Sequence, residues 1–190
     1  MEALAEKKKA ILESTLQLIQ EHGFHGTPMS MVAKKAGVAA GTIYHYFESK
    51  ERLICELYSH VKQQSLEAMQ HADDQALPYQ QRFFALWHSL FDFYRDNPSV
   101  LIFFEQFVNS PYYTQKPLDP LDAFHKTMRQ FFEEGVQQHH LREANPEILA
   151  MVVHGSIITT AKVHRHKKLQ FGGNDLQQIA QIMWDGMAAR

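Results

Sequence analysis

The stretch AGVAAGTIYHYFESKERL, residues 36–53, crowds two glycines, three aromatic rings and a histidine into a short run. Gly37 falls where a preceding short helix would end, and a glycine there can take the left-handed conformation of a tight turn. Ala33 is small enough for two helices to approach closely, and Val38 plugs the corner. On a helix at about 100° per residue, Ile43 and Phe47 lie one turn apart and define an inward side. Gly41, Thr42 and His45 take the opposite side, flanked by Tyr44 and Tyr46. A helix this short commits two residues to its core and presents the others outward, which is the anatomy of a helix-turn-helix.

The outward residues suit DNA. Thr42 and His45 can hydrogen-bond base edges, and Gly41 lets the backbone come close to a duplex. The Tyr44 and Tyr46 hydroxyls sit where phosphates flank a major groove. Lys50 adds a positive charge at the start of the next helix. The geometry alone also fits an ordinary helical hairpin with surface tyrosines.

Working along the chain, nearly every segment repeats its apolar residues at helical period. A first helix over about 4–22 carries Ile11, Leu12, Thr15, Leu18 and Ile19 on one stripe and stops at Gly23. Thr27 before Pro28 predicts a capped start for the second. Ser49 caps a long fourth helix reaching about Ala72, with Leu53, Ile54, Leu57, Tyr58 and Val61 inward. Further helices are expected over about 78–96, 98–109, 118–140, 146–168 and from Asn174 on, separated by DNPS, NSPYYTQKPLDP, REANP and FGGND. The class is all-α: an N-terminal three-helix helix-turn-helix domain over 1–50 and a larger helical bundle over 51–190, about nine helices in total.

Residues from about Ala10 to Leu57 resemble the DNA-binding domain of the TetR family of bacterial repressors. The resemblance rests on Gly23-Phe24, Thr27, Val32-Ala33, Ala36-Gly37-Val38, Gly41-Thr42-Ile43-Tyr44, Phe47, Ser49-Lys50-Glu51 and Leu53. It implies phosphate contacts from Thr27, Tyr44, Tyr46 and Lys50, and base contacts from Ala40, Thr42 and His45 with Ser30. Two positions depart from the family pattern. Ala39 stands where many members have a capping serine, and Ser30 where an arginine often reaches a base.

Fifteen of the 22 aromatic residues lie between Tyr79 and Phe132. On the helix from Pro78, Phe83, Phe84, Trp87, Leu90, Phe91 and Tyr94 share a broad face, with Leu86 and Phe93 opposite, as in a helix packed between neighbours. Phe103, Phe104 and Phe107, then Phe124, Met128, Phe131 and Phe132, can meet it. Such rings can simply fill a core, but wide aromatic and methionine-lined surfaces also leave gaps for a guest. In the TetR family this bundle encloses a small-molecule pocket. The resemblance implies one here, with Phe84, Trp87, Phe91, Phe103, Phe107, Met128, Phe131, Met151 and His154 as lining candidates. Glu105 could act as counter-ion to a cationic ligand, but at the edge of the aromatic face it is expected to be exposed; His88, His125 and His154 could offer polar contacts inside the pocket, though each is more often a hydrogen-bonded core or surface histidine.

The last helix repeats Leu176, Ile179, Ala180, Met183, Trp184 and Met187 at three and four residues, and the one before it carries Ile148, Met151, Val152, Gly155 and Ile158. They could cover the monomer's own core. TetR-like proteins build a dimer interface from the corresponding pair, which implies a homodimer through Ile148, Val152, Gly155, Ile179, Met183 and Trp184 reading a palindrome.

Composition narrows the remaining classes. Nineteen Lys and Arg against 21 Asp and Glu give a net charge of −2, so no global field advertises a polyanionic partner. Within residues 1–50, six lysines against five glutamates leave +1, and the remainder carries −3. Lys7, Lys8 and Lys9 read as a solvated tail or a phosphate-touching arm. The lone Cys55 excludes an internal disulfide and fits the cytoplasm. No signal peptide, membrane span or lipidation motif is found. The histidines lack ligand spacing for zinc, and no catalytic motif or cofactor loop occurs. The expectation is a transcriptional regulator, most often a repressor in this family, that binds an operator in double-stranded DNA and is released by a small, largely apolar or aromatic effector. The rivals are a ligand-binding or scaffold protein without regulatory DNA binding, and an activator or nonspecific nucleoid protein.

Overall fold

The computed structural model describes residues 2–115, 123–166 and 171–189. They form ten α-helices: α1 Glu2–His22, α2 Met29–Lys35, α3 Ala40–Tyr46, α4 Lys50–Ala72, α5 Tyr79–Asp96, α6 Pro98–Val108, α7 Pro111–Gln115, α8 Ala123–Gln137, α9 Pro146–Arg165 and α10 Gly173–Met187. The only extended pairing among the described residues is an isolated antiparallel bridge between Leu141 and Ala188. The all-α class agrees with the sequence periodicity. The helix start expected near Leu118 and the helix end expected near Lys168 lie outside the described residues.

The chain clusters into two compact units, Met1–Val61 with Ser99–Asp119, and Lys62–Pro98 with Pro120–Arg190. In the first, α1, α2 and α3 pack in succession. The α1 stripe of Ile11, Leu12, Thr15, Leu18 and Ile19 is buried, and the Thr15 hydroxyl is satisfied by donating to Ile11 O at 2.7 Å. Gly23 and Gly37 end α1 and α2 at φ 68° and 67°, the left-handed region that a Cβ disfavours. After Gly37 the Val38 N–H donates to Ala33 O at 3.0 Å and closes the turn. Ser49 caps α4 as its spacing predicts, its Oγ accepting from the Arg52 N–H at 3.2 Å. From α6, Phe103 packs edge-on against Phe24 at 5.9 Å and Phe107 stacks on Tyr58 at 4.5 Å.

Two local expectations need correction. Thr27 does not cap α2. Pro28 is the N-cap residue, and the Thr27 hydroxyl turns back to donate to Gly23 O at 2.8 Å. The segment after Asn109, read as a break, holds the short helix α7. Pro111 suits a first helical position, and Tyr112 and Tyr113 tie the turn down edge-on against Phe24 and Phe107.

In the second unit α5 packs against α9 and α10, and α8 against α9. Phe83, Leu86, Trp87 and Leu90 are all fully buried, so α5 is apolar on more than one side because it has neighbours on more than one side. Tyr79 opens α5 with its hydroxyl donating to Phe131 O at 2.9 Å. A Cβ at Gly135 would collide with the Tyr79 ring and hydroxyl, so only glycine lets α8 pass there. Asn145 caps α9, accepting from the Glu147 N–H at 2.9 Å, with Pro146 in the first turn.

Candidate nucleic-acid interface and effector region

Helix α3 is positioned by two anchors. Ile43 and Phe47 are both fully buried, and that fixes which residues turn outward. Ala40, Gly41 and His45 are exposed, Tyr44 is 56% exposed, and Thr42 and Tyr46 are half-buried. The His45 and Tyr46 rings meet edge to face at 5.7 Å. Gly41 is not required by packing, because an added Cβ would meet nothing within 4 Å. Ala39 occupies the N-cap of α3 without a side-chain hydrogen bond. On α2, Ser30 is exposed together with Met31 and Lys34 of the same helical face; Met31 and Lys34 carried no motif signal.

The expected phosphate ligands divide. Tyr44 is open to solvent, but Thr27 is 2% exposed and its hydroxyl proton is committed to Gly23 O. Lys50 is half-buried and donates to Phe24 O, tying the start of α4 to the turn after α1. Lys8 pairs with Glu56 and lies 5.6 Å over the Phe47 ring, and Lys9 approaches Glu13 at 3.9 Å. Part of the lysine run therefore belongs to the fold.

In the second unit, Trp87 stacks on Phe91 at 5.8 Å and donates from Nε1 to Ser156 Oγ at 3.2 Å. Phe131 stacks on Tyr79 at 4.8 Å, Phe84 lies 6.2 Å from Trp184, and Met128 is buried. His154 Nε2 is 2.8 Å from the Tyr94 hydroxyl. His88 is hydrogen-bonded with Gln177 at 3.1 Å, and Glu105 is exposed. Phe103 and Phe107 make their ring contacts within the first unit. Met151 is 66% exposed and shares the outer face of α9 with Ile148, Val152 and Gly155, all exposed. The inward set, Leu149, Val153, Ile157 and Thr160, follows the opposite stripe.

Two family models match the chain: "Bacterial regulatory proteins, tetR family" over residues 11–57, and "Tetracyclin repressor-like, C-terminal domain" over residues 78–188. The chain belongs to the TetR family. Its members are DNA-binding transcriptional regulators, not enzymes. It is similar to the HTH-type transcriptional regulator YhgD of Bacillus subtilis, 23% identical over 78% of each chain. Among solved structures, a TetR family transcription regulator from Shewanella sp. PV-4 is 30% identical with a TM-score of 0.84, over 97% of this chain and 99% of that one. FadR from Bacillus subtilis, solved in complex with stearoyl-CoA, shares the fold at 21% identity and a TM-score of 0.76, over 93% of this chain and 95% of that one.

In this TetR-family chain, two features carried no signal in the expected motifs. Ile182, 63% exposed on α10, lies off the stripe of Ile179, Met183 and Trp184, which are half-buried. A groove of about 550 Å³ runs past Tyr79, Arg82, Glu134, Gln138, His140 and Trp184. Its floor is Arg82, 5% exposed, which donates to Asp73 at 2.7 Å and to Glu134 at 2.6 Å. Those carboxylates hold the guanidinium charged. Among the described residues no helix is long and apolar enough to cross a membrane.

Proposed function

We propose that this TetR-family regulator acts as a cytoplasmic repressor, binding a palindromic operator as a homodimer and leaving it when a small, largely apolar or aromatic effector occupies the second unit. The reading assigns DNA binding to residues 1–50, and effector binding and dimerisation to 51–190. The observation that carries it is the outward face of α3: Gly41, Thr42, Tyr44 and His45 stand together because Ile43 and Phe47 are wholly inward. Thr42 and His45, with Ala40 and Ser30, read base edges, and Gly41 admits the duplex. Tyr44, Tyr46 and Lys50 hold phosphates, Lys50 with the protons not used on Phe24 O. Thr27 contributes by its backbone, since its hydroxyl proton is engaged.

Dimerisation is supported by the outer face of α9 and α10. Ile148, Met151, Val152 and Ile182 are exposed, and Gly155 and Gly186 have open space around them. Interior helical glycine costs about 1 kcal/mol relative to alanine, and among the described residues no contact requires it here. Ile179, Met183 and Trp184 complete the interface. For the effector, the stearoyl-CoA bound by the Bacillus subtilis FadR supports an apolar guest among Phe84, Trp87, Phe91, Met128, Phe131 and His154. Because α4 is one helix through both units, a guest that displaces its C-terminal half can shift the population of DNA-competent dimers.

The test is fluorescence anisotropy against DNA from upstream of the gene, at two salt concentrations, beside the double variant Thr42→Ala, His45→Ala. Selective binding that weakens with salt and is lost in the variant is expected. Selective binding retained by the variant would move base readout away from α3. Absence of selective binding by the wild type would favour a ligand-binding or scaffold role.

A further inference from the structure

Within the first unit, a small charged group closes over the ring that ends α3. Lys8 of α1 stands one turn before Ile11, where the buried stripe of that helix begins. Its ammonium pairs with Glu56 Oε2 on α4 and lies 5.6 Å from the centroid of the Phe47 ring. The other Glu56 oxygen accepts from Arg52 Nε at 3.1 Å, so both oxygens are engaged. Phe47 is the C-cap residue of α3, wholly buried, with its N–H donating to Ile43 O at 2.9 Å. Three helices therefore meet at one point: α1 supplies the cation, α4 the carboxylate and the end of α3 the ring.

The group contributes little to stability. Lys8 and Glu56 are half-buried and Arg52 is exposed, and an ion pair open to water barely offsets the ordering of its long side chains. The buried Ile11, Leu12, Ile43, Leu53 and Leu57 hold the unit together instead. What the group fixes is direction. A short helix with two buried anchors, Ile43 and Phe47, pivots about the first when the second shifts, and a tilt of α3 carries Thr42 and His45 away from base edges whose hydrogen bonds tolerate little displacement. A cation held over the Phe47 ring and tied to α4 opposes that shift. Lys8 is thereby unlike Lys7 and Lys9, which are both exposed.

We propose that Lys8 and Glu56 are positioning residues for DNA recognition, holding Phe47 and through it the tilt at which α3 presents Thr42 and His45. The inference rests on the reading of α3 as the base-contacting helix and adds what sets its orientation. A lysine that touches phosphate attracts every duplex alike, whereas one that orients α3 matters only where bases are read. At Glu56 the two roles have opposite signs. Removing a carboxylate charge from a DNA-binding unit raises affinity by electrostatics alone, but it lowers selective affinity when that carboxylate holds Lys8 over Phe47.

Fluorescence anisotropy of the full chain tests it, with a duplex from upstream of the gene and a scrambled duplex of the same composition, each across a salt series. Lys8→Met and Glu56→Gln are each expected to weaken binding to the upstream duplex about tenfold, which is what one well-placed base contact discriminates. Neither should weaken binding to the scrambled duplex or change its salt slope, and both should melt close to the wild type. The double variant should bind no more weakly than either single one, because both break the same contact. Lys8→Arg, which keeps a cation for the ring and the carboxylate, should retain most of the wild-type affinity. A loss on both duplexes with a salt slope shallower by about one would make Lys8 a phosphate ligand and overturn the inference. Glu56→Gln binding the upstream duplex as tightly as the wild type, or more tightly, would overturn it too, and the reading of α3 would stand if Thr42→Ala, His45→Ala still lost selectivity. Selective binding kept by that double variant, or absent from the wild type, would overturn the reading of α3 and this inference with it.

Discussion

A methyl group at position 41 would meet no atom within 4 Å, so packing inside the chain leaves room for alanine. Gly41→Ala is expected to raise stability by about 0.5–1 kcal/mol in urea melts while weakening operator binding about tenfold or more in anisotropy. A gain in stability with unchanged affinity would mean that no duplex approaches there. Ala39 is the complementary case. Its backbone, at φ −64° and ψ 148°, has cap geometry, but its side chain offers no acceptor. Ala39→Ser should therefore stabilise the first unit by about 1 kcal/mol, seen as a higher denaturation midpoint and slower amide exchange in α3. Both positions lie in the opening motif, and both consequences follow from what a single Cβ or Oγ would touch.

Where α5 meets α8, the contact turns on one glycine and one phenol. Gly135 makes space for Tyr79, and burial, aided by the charge on Glu134, pushes the Tyr79 phenol well above its usual range. The sign of the linkage is fixed by that direction. Below about pH 10 the phenol is protonated in both folded and unfolded chains and the stabilisation is complete. As pH rises further the unfolded chain loses its proton first, and stability falls by about 1.4 kcal/mol per pH unit from this group. Tyr79→Phe should show a shallower loss of melting temperature between pH 10 and 11.5 than the wild type. It should also lose about 1 kcal/mol at neutral pH with the bond to Phe131 O. Parallel alkaline slopes in the two proteins would remove Tyr79 from this account.

Two recognition helices presented to a palindrome require two chains. Met151 is the sharpest probe of that requirement, since its side chain is exposed in the isolated chain and a charge there should leave the fold intact. Met151→Glu is expected to sediment as a monomer of 22.0 kDa while the wild type runs at about twice that mass. Its operator affinity should fall by about 100-fold or more, because each half-site contact is then made alone. A dimeric Met151→Glu protein with wild-type affinity would place the interface elsewhere.

The sequence by itself determined the helical class, most helix limits, the two left-handed glycines and the outward residues of α3. These are short-range properties: a 3.6-residue period, a cap or a missing Cβ acts within one or two turns. Met151 shows where local reading ended, because its stripe with Ile148 and Val152 was legible while the destination of that stripe was not. Phe103 and Phe107 were indistinguishable by composition from Phe91 and Phe131, and only the packing of α6 set them against Phe24 and Tyr58. Thr27 had the right type for a cap but stands one residue too early, because Pro28 takes the N-cap position and the Thr27 hydroxyl donates back to Gly23 O. The contact between the Tyr94 hydroxyl and His154 joins residues 60 positions apart, and no periodicity reports such distances. Tertiary structure alone decided those encounters, because which two apolar faces meet depends on every other face that must be buried at the same time.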